Sequence, residues 1–425
     1  MRAVVGSRPG TTEATRTLLR LPSLRRYLLG QTLSAFGDSL MPIALVFAVL
    51  WQGGSATAVG LVLLASRIPS ILIVLLGGAV GDRLDRRKVM LVTDAARCAL
   101  QTITGALLLT GHASLWTLAL LQGLSGTASA LFGPAAAGLI RSLAPPEALT
   151  HTNALLGLSR NIVGVSGIAF AGVLVSTAGP GWAFVIDGAT FAASAVFLAR
   201  LPASPRPAAV TESVLVAALS GVREAFARRW LWTSILYIAA LNLIAVCPFL
   251  VLGPVIANTD LGGPGAWTAI VLGYASGGIA GNALALRWQP RHPLRAAFAA
   301  AVALSPFLFL LAAAAPVPAL AIAAAMAGAQ ASVFNVFHGT TLQTHVPEHL
   351  VSRIASVNML GTLAAVPLGL SLAGPLAQAT TTHTVLTVGG CFAVLGTLAV
   401  LLIPDVRQLA HPPSHKGSHL PPEPN

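Results

Sequence analysis

Three charged side chains of the sequence stand in the middle of long apolar runs. Asp38, Arg67 and Arg160 each lie about 10 to 14 residues inside such a run, which is mid-depth in a bilayer at about 1.5 Å per helical residue. A charge at that depth costs from about 3 to over 10 kcal/mol, so it is retained when it is paired, hydrated or functional. We therefore predict that Asp38 is the protonatable group and pairs with Arg67 or Arg160. The alternative is a static ion pair that fixes helix packing.

Other polar residues in the apolar runs give weaker signals. Asp94 and Arg97 stand three residues apart on one predicted helix face, which favours a local pair. Asp187 lies near the end of its run, from which its side chain can extend to the membrane interface. Neutral polar residues in further runs either line a cavity or bond neighbouring helices to each other; this set contains Gln122, Asn242, Gln330, Asn335 and His338.

Several classes of chemistry are excluded. The three cysteines all lie in apolar runs, which leaves no disulfide framework and no metal-ligand cluster, so we predict neither a cofactor nor a metal. The two lysines, Lys88 and Lys416, do not follow the glycine that a phosphate-binding loop requires. The stretch Gly164-Val-Ser-Gly167 resembles a membrane serine protease motif but has no histidine base in the same half of the chain. We predict that the chain is not an enzyme.

The elements that must position these residues follow from composition. Only 9% of the 425 residues are charged, against about 25% in a soluble domain, and the mean hydropathy is +0.79. Twelve segments have the roughly 20 apolar residues that cross a bilayer, and they are continuous rather than alternating, which predicts helices and not a barrel. The predicted spans are residues 27–50, 56–80, 89–109, 115–137, 154–175, 182–198, 232–252, 266–286, 296–315, 319–339, 354–377 and 385–403.

The basic residues predict how these spans are oriented. Outside the spans, Lys and Arg occur at the two termini and in every second loop, and the intervening loops carry none. Because cytoplasmic loops are enriched in Lys and Arg, both termini are predicted to be cytoplasmic. The net charge of +12 then reflects topology and contact with anionic membrane lipids, and no nucleic-acid partner is predicted.

An internal repeat divides the spans into two groups of six. The stretch Pro146-Glu-Ala-Leu149 after the fourth span recurs as Pro347-Glu-His-Leu350 after the tenth. Duplication of this kind is typical of transporters built from two equivalent bundles. The predicted organisation is an N-terminal segment, a six-helix bundle, a linker with an amphipathic surface helix, a second six-helix bundle and a disordered tail, at residues 1–26, 27–200, 201–230, 231–405 and 406–425.

The loop after the second span carries a specific motif. It reads Gly78-Ala-Val-Gly-Asp82-Arg83-Leu-Asp85-Arg86-Arg87-Lys88, and it resembles the major facilitator superfamily signature Gly-x-x-x-Asp-Arg-x-Gly-Arg-Arg-(Lys/Arg), with Asp85 in place of Gly. An acid at a helix end can bind the positive N-terminus of another helix. The resemblance implies that Asp82, Arg83, Arg86 and Arg87 form a cytoplasmic latch and that Gly78 allows close helix approach. The alternative is a plain basic loop that only sets orientation.

Further residues place the resemblance within the drug-efflux branch of this superfamily. That motif variant, with Phe36-Gly-Asp38 and Arg67-Ile-Pro69, is similar to the macrolide exporters and the enterobactin exporter. Two positions depart from the wider family: Ala119 stands where the family has an Arg in the fourth span, and Ile168 stands where the antiporter motif has Pro.

The resemblance implies a function. It predicts a secondary active transporter, working by alternating access, that exports a small amphipathic organic compound such as a drug, antibiotic or siderophore-like molecule by proton antiport. The partners are then the substrate, protons and membrane lipids, and the protein is a monomer. The excess of Arg over Lys is typical of a GC-rich bacterial genome and favours the bacterial inner membrane. The alternatives are an uptake or facilitated permease of the same fold, or a receptor-like membrane protein that transports nothing.

Overall fold

The computed structural model describes residues 21–76, 85–143, 149–202, 228–288, 290–346 and 365–409. Within these ranges the regular secondary structure is helical, and twelve helices correspond one to one with the twelve predicted spans. They are α1 (Pro22–Trp51), α2 (Ala56–Leu76), α3 (Arg86–Leu109), α4 (Leu115–Leu143), α5 (Leu149–Ala178), α6 (Pro180–Ala199), α7 (Arg229–Asp260), α8 (Pro264–Arg287), α9 (Pro293–Ala312), α10 (Val317–His345), α11 (Ala365–Ala379) and α12 (Thr382–Leu401). A short α13 (Pro404–Arg407) follows. The predicted all-α class is confirmed.

The helix ends follow from local sequence. Pro180 and Pro264 occupy the first turns of α6 and α8, where their missing N–H groups leave no hydrogen bond unmade. Asp85 is the N-cap of α3, and its carboxylate accepts a hydrogen bond of 3.0 Å from the Arg87 amide. Thr381 caps α12 in the same way through the Thr384 amide. The prolines and the capping side chains therefore start these helices near the points where the apolar runs begin.

Nine of the described helices are long and apolar enough to cross a membrane by length and composition. The other three are α2, α3 and α11. In α2 and α11 the described apolar stretches are short, and both helices adjoin residues outside the described ranges. Helix α3 is less apolar because it carries several charged side chains, among them Asp94 and Arg97.

The helices pack as two halves. In the first half, α6 packs between α1 and α3, α4 contacts α2 and α3, and α5 packs on α1. In the second half, α10 packs on α8 and α9, and α12 packs on α7 and α9. The predicted linker falls mostly on residues 203–227, which lie outside the described ranges, as do residues 1–20 and 410–425.

The two halves meet at one side of the molecule. We call the side where α1 begins and α12 ends the terminal side, and the opposite side the distal side. At the distal side, buried apolar residues of both halves form one continuous core. Near the terminal side, the described core residues form separate clusters in the two halves.

Close contacts of two glycines with the other half seal the distal side. Gly60 of α2 lies against the Leu370 carbonyl of α11, and Gly172 of α5 lies against Thr268 of α8. A side chain at either glycine would collide with the other half. The described residues therefore form a state that is closed at the distal side.

Candidate functional site

A buried arginine is at the centre of the first half. Arg97 of α3 forms an ion pair with Asp38 of α1, and its guanidinium lies 3.7 Å from the centre of the Phe191 ring of α6. The Arg97 side chain is 7% exposed and that of Asp38 is 48% exposed. Asp38 is thus accessible although it lies mid-helix, and α1 is flanked by helices of both halves. We infer that Asp38 faces the space between the halves.

This pairing differs from the sequence prediction. The sequence predicts that Asp38 pairs with Arg67 or Arg160 and that Arg97 pairs with Asp94; both pairings are wrong. The physical reason is the orientation of α3, whose long Arg97 side chain stacks on Phe191 and extends across to α1 instead of folding back along its own helix.

Neither of the other two mid-span arginines forms the ion pair with Asp38. Arg160 of α5 is exposed, and its charge acts on Asp38 at longer range than that of Arg97. Arg67 of α2 is exposed too, and its charge acts on Cys247 of α7, in the other half. Arg160 therefore stays near Asp38 as a second cation, whereas Arg67 belongs to the boundary between the halves.

A separate chain of hydrogen bonds lies next to the ion pair, on its distal side. Gln101 Nε2 of α3 donates to Asp187 Oδ2 of α6 over 2.7 Å, and Gln122 Nε2 of α4 donates to Gln101 Oε1 over 3.0 Å. Asp187 is completely buried. The prediction that it extends to the membrane interface is wrong, because α6 carries it into the contact with α1 and α3, where Gly37 allows the helices to approach.

Sequence reasoning missed Gln101, Phe191 and Ser194 as members of this site. Positions 94, 97 and 101 are spaced by three and four residues, so they share one face of α3. Such a polar stripe on an otherwise apolar helix was the available signal. Gln122 is buried and bonds α4 to α3 in this chain, which is the second of the two alternatives given for it.

The second half contains an aromatic cavity of about 560 Å³. Phe249, Trp267, Tyr274 and Phe334 contribute aromatic rings to its wall. Four of the five predicted cavity residues also border it, namely Asn242, Gln330, Asn335 and His338. Among the described residues, the wall carries amides and an imidazole but no carboxylate, ammonium or guanidinium group. Contact of these residues with a substrate stays a prediction.

Local structure explains how two polar residues reach this cavity. The turn Asn242–Val246 of α7 is a π-helix, a rare widening of the helix. The side-chain amide of Asn242 donates to the Ile238 carbonyl over 2.8 Å. The His338 ring stacks on Phe334 with ring centres 5.5 Å apart and an angle of 10° between the planes. The His338 Nε2 atom is buried and has no hydrogen-bond partner within the described part of the chain.

The predicted latch is described only in part. Gly78, Asp82 and Arg83 lie outside the described residues. Arg86 begins α3, and Arg87 Nε donates to the Leu198 carbonyl at 3.0 Å while its guanidinium also bonds the Ala199 carbonyl. These carbonyls lie in the last turn of α6, where no following helical turn supplies amides, and the Leu198 carbonyl also accepts from the Leu201 amide at 3.1 Å.

Arg87 therefore ties α3 to α6 within one half. Asp85 has φ of −60°, so the residue that replaces the family glycine needs no left-handed backbone. No group of three or more His, Cys, Asp or Glu side chains within the described ranges is placed to hold a metal ion.

Comparisons with known proteins cover most of the chain. The family model described as Major Facilitator Superfamily matches residues 27–314. The multidrug efflux pump Tap of Mycolicibacterium fortuitum is 27% identical over 394 residues, which are 88% of this chain and 93% of that protein. The enterobactin exporter EntS of Citrobacter koseri is 24% identical over 401 residues, 92% of this chain and 94% of that protein. The solved structure of the nucleoside transporter NupG has a TM-score of 0.71 at 13% identity and covers 90% of this chain and 98% of that one.

Proposed function

Because the chain belongs to the major facilitator superfamily, we propose that it exports a small amphipathic organic cation from the cell in exchange for protons. The family predicted from the loop motif is confirmed, and the similar proteins named above are transporters rather than enzymes. The observation that carries the proposal is the Asp38–Arg97 ion pair, whose acid is half exposed in the middle of a membrane span.

The substrate class follows from the two polar environments. The aromatic cavity has rings for stacking and neutral amides for hydrogen bonds, which suits a planar apolar body with a few polar groups. Asp38 supplies the accessible carboxylate in the first half, which suits a positive group. A drug, antibiotic or siderophore-like molecule with both features would fit.

The coupling follows from the chemistry of an exposed acid in an ion pair. A proton or a cation can occupy Asp38, but each reduces binding of the other because both compete for the same negative charge. Exchange of the two across the membrane is antiport. The state closed at the distal side would receive substrate from the terminal side, which is the predicted cytoplasmic side.

The membrane setting is part of the proposal. The protein works as a monomer in the bacterial inner membrane, with both termini in the cytoplasm and basic residues against anionic lipid. This orientation is supported by the restriction of Lys and Arg to one predicted side outside the spans. Arg86 and Arg87, with Asp82, Arg83 and Gly78, act as the latch that favours one of the two states.

Transport in proteoliposomes tests the proposal, with ethidium as a planar aromatic cation. A pH gradient should drive ethidium across the membrane in wild-type vesicles, and Asp38→Asn should abolish the dependence on the gradient. The matched control is Asp260→Asn, which removes an exposed acid at the end of α7. Ethidium movement that ignores the pH gradient would support a facilitated permease, and no movement of any aromatic cation would support a receptor.

A further inference from the structure

A polar seam lies along the contact of α3 with α6. It consists of Asp94, Arg97 and Gln101 on α3 facing Asp187, Phe191 and Ser194 on α6, and we call it the α3/α6 seam. The helices run antiparallel, so Asp94 lies level with Ser194 and Gln101 lies level with Asp187. From Asp94 to Gln101 the seam extends about 10 Å along the membrane normal at about 1.5 Å per residue.

The seam contains more acid than base. Asp94 and Asp187 are both completely buried, and Arg97 is committed to Asp38 of α1. The remaining neighbours add little charge to the seam, because α4 contributes the neutral Gln122 and Arg160 of α5 acts on Asp38 at longer range. Across the described helices, one buried guanidinium therefore serves three carboxyl groups.

Unpartnered atoms mark the two surplus acids. Both carboxyl oxygens of Asp94, the Oδ1 atom of Asp187 and the Ser194 hydroxyl have no hydrogen-bond partner among the residues that the structure describes. Asp187 keeps one donor, the Gln101 side-chain amide at its Oδ2 atom, and the cation beside Asp94 is Arg97, which is already bound to Asp38. A buried carboxylate with so few partners is far more costly than a neutral carboxyl in the same place. The geometry therefore suits bound protons at both acids.

We propose that Asp94 and Asp187 are proton-binding groups of the transport cycle, that both are protonated while Arg97 is bound to Asp38, and that one of them ionises when Arg97 is released. The proposal rests on the proposed function, because the release requires a cationic substrate at Asp38. When that cation displaces Arg97, the O–H bond of one seam carboxyl breaks, the carboxylate pairs with Arg97, and the proton leaves to water. The charge of the seam stays balanced, and no electrons are transferred.

Infrared spectroscopy of the full-length protein in lipid nanodiscs tests this without any substrate. At neutral pH the wild type should show the C=O stretch of protonated carboxyl groups. Asp94→Asn and Asp187→Asn should each remove part of that band, whereas the exposed-site control Asp260→Asn should not. A wild-type spectrum without the band, or a band unchanged in both variants, overturns the proposal.

The switch itself has a separate readout. Asp38→Asn frees Arg97 permanently, so it should reduce the band of the protonated carboxyl groups. The Asp38 carboxyl itself contributes nothing to that band in the wild type, because it is ionised in its pair with Arg97. An unchanged band in Asp38→Asn overturns the switch. In the wild type, added ethidium should reduce the same band. Loss of the band in Asp38→Asn without any ethidium effect would refute ethidium binding at Asp38 while supporting the seam, so the two proposals fail separately.

Folding of the variants does not confound the test. Asparagine has nearly the shape of a neutral carboxyl group, so Asp94→Asn and Asp187→Asn should keep the wild-type thermal unfolding temperature in detergent. A marked loss of thermal stability in both variants would mean that these acids are ionised and paired, and would overturn the proposal.

Discussion

Replacing Gln101 with leucine gives the sharpest structural test of the hydrogen-bond chain in the first half. The Gln101 side chain is 3% exposed and bonds two buried partners, donating to Asp187 and accepting from Gln122. Leucine has a similar size but leaves both partners without that bond. Because each unsatisfied buried polar group costs about 1 to 3 kcal/mol, Gln101→Leu should lower the free energy of unfolding by about 2 to 6 kcal/mol.

The assay is unfolding in mixed detergent followed by tryptophan fluorescence. Gln408→Leu, at an exposed position after α13, is the matched control and should change stability by less than about 0.5 kcal/mol. Adding Gln122→Leu to Gln101→Leu should cost less than the sum of the single changes, because the bond between the two glutamines is then lost only once. Additive costs, or a Gln101→Leu effect no larger than the control, would refute the proposed chain.

Three further predictions concern the cavity, the distal contact and the tie between α3 and α6. Phe334→Ala removes the ring that stacks on His338, so the Kd for ethidium should rise about two- to tenfold in equilibrium binding, with Trp116→Ala, at an exposed position of α4, as control. Gly60→Val places a side chain against the Leu370 carbonyl of the other half, so it should slow ethidium transport in proteoliposomes without loss of ethidium binding; unchanged transport would contradict the distal closure. Arg87→Ala removes hydrogen bonds from a charged group to the end of α6 and should destabilise the protein by about 1.5 to 3 kcal/mol in the same unfolding assay; an unchanged stability would contradict the tie.

Sequence reasoning predicted the elements well because they depend on local composition. The lengths of the apolar segments predicted the twelve helices, and the low fraction of charged residues predicted a membrane protein. Polar residues in the second half stood out against an apolar background, and four of them border the aromatic cavity. Such features need no knowledge of which helices are neighbours.

The pairing of charges was beyond the same reasoning because it depends on helix neighbours and rotation. Depth along a span made Arg67 and Arg160 equal candidates for Asp38, yet α3 directs Arg97 to it. Asp187 lies near the end of its run, and burial between α1 and α3 was not visible from that position. Positions 94, 97 and 101 form a polar stripe by their spacing, and this stripe is a buried face of α3.

We propose that the exchange of substrate and proton depends on Asp38. Its most direct measurement follows luminal pH in proteoliposomes that start without a pH gradient and receive an ethidium gradient. Coupling is reciprocal, so ethidium movement should drive protons the opposite way in the wild type and not in Asp38→Asn. Ethidium crossing the wild-type vesicles with no change in luminal pH would contradict the account.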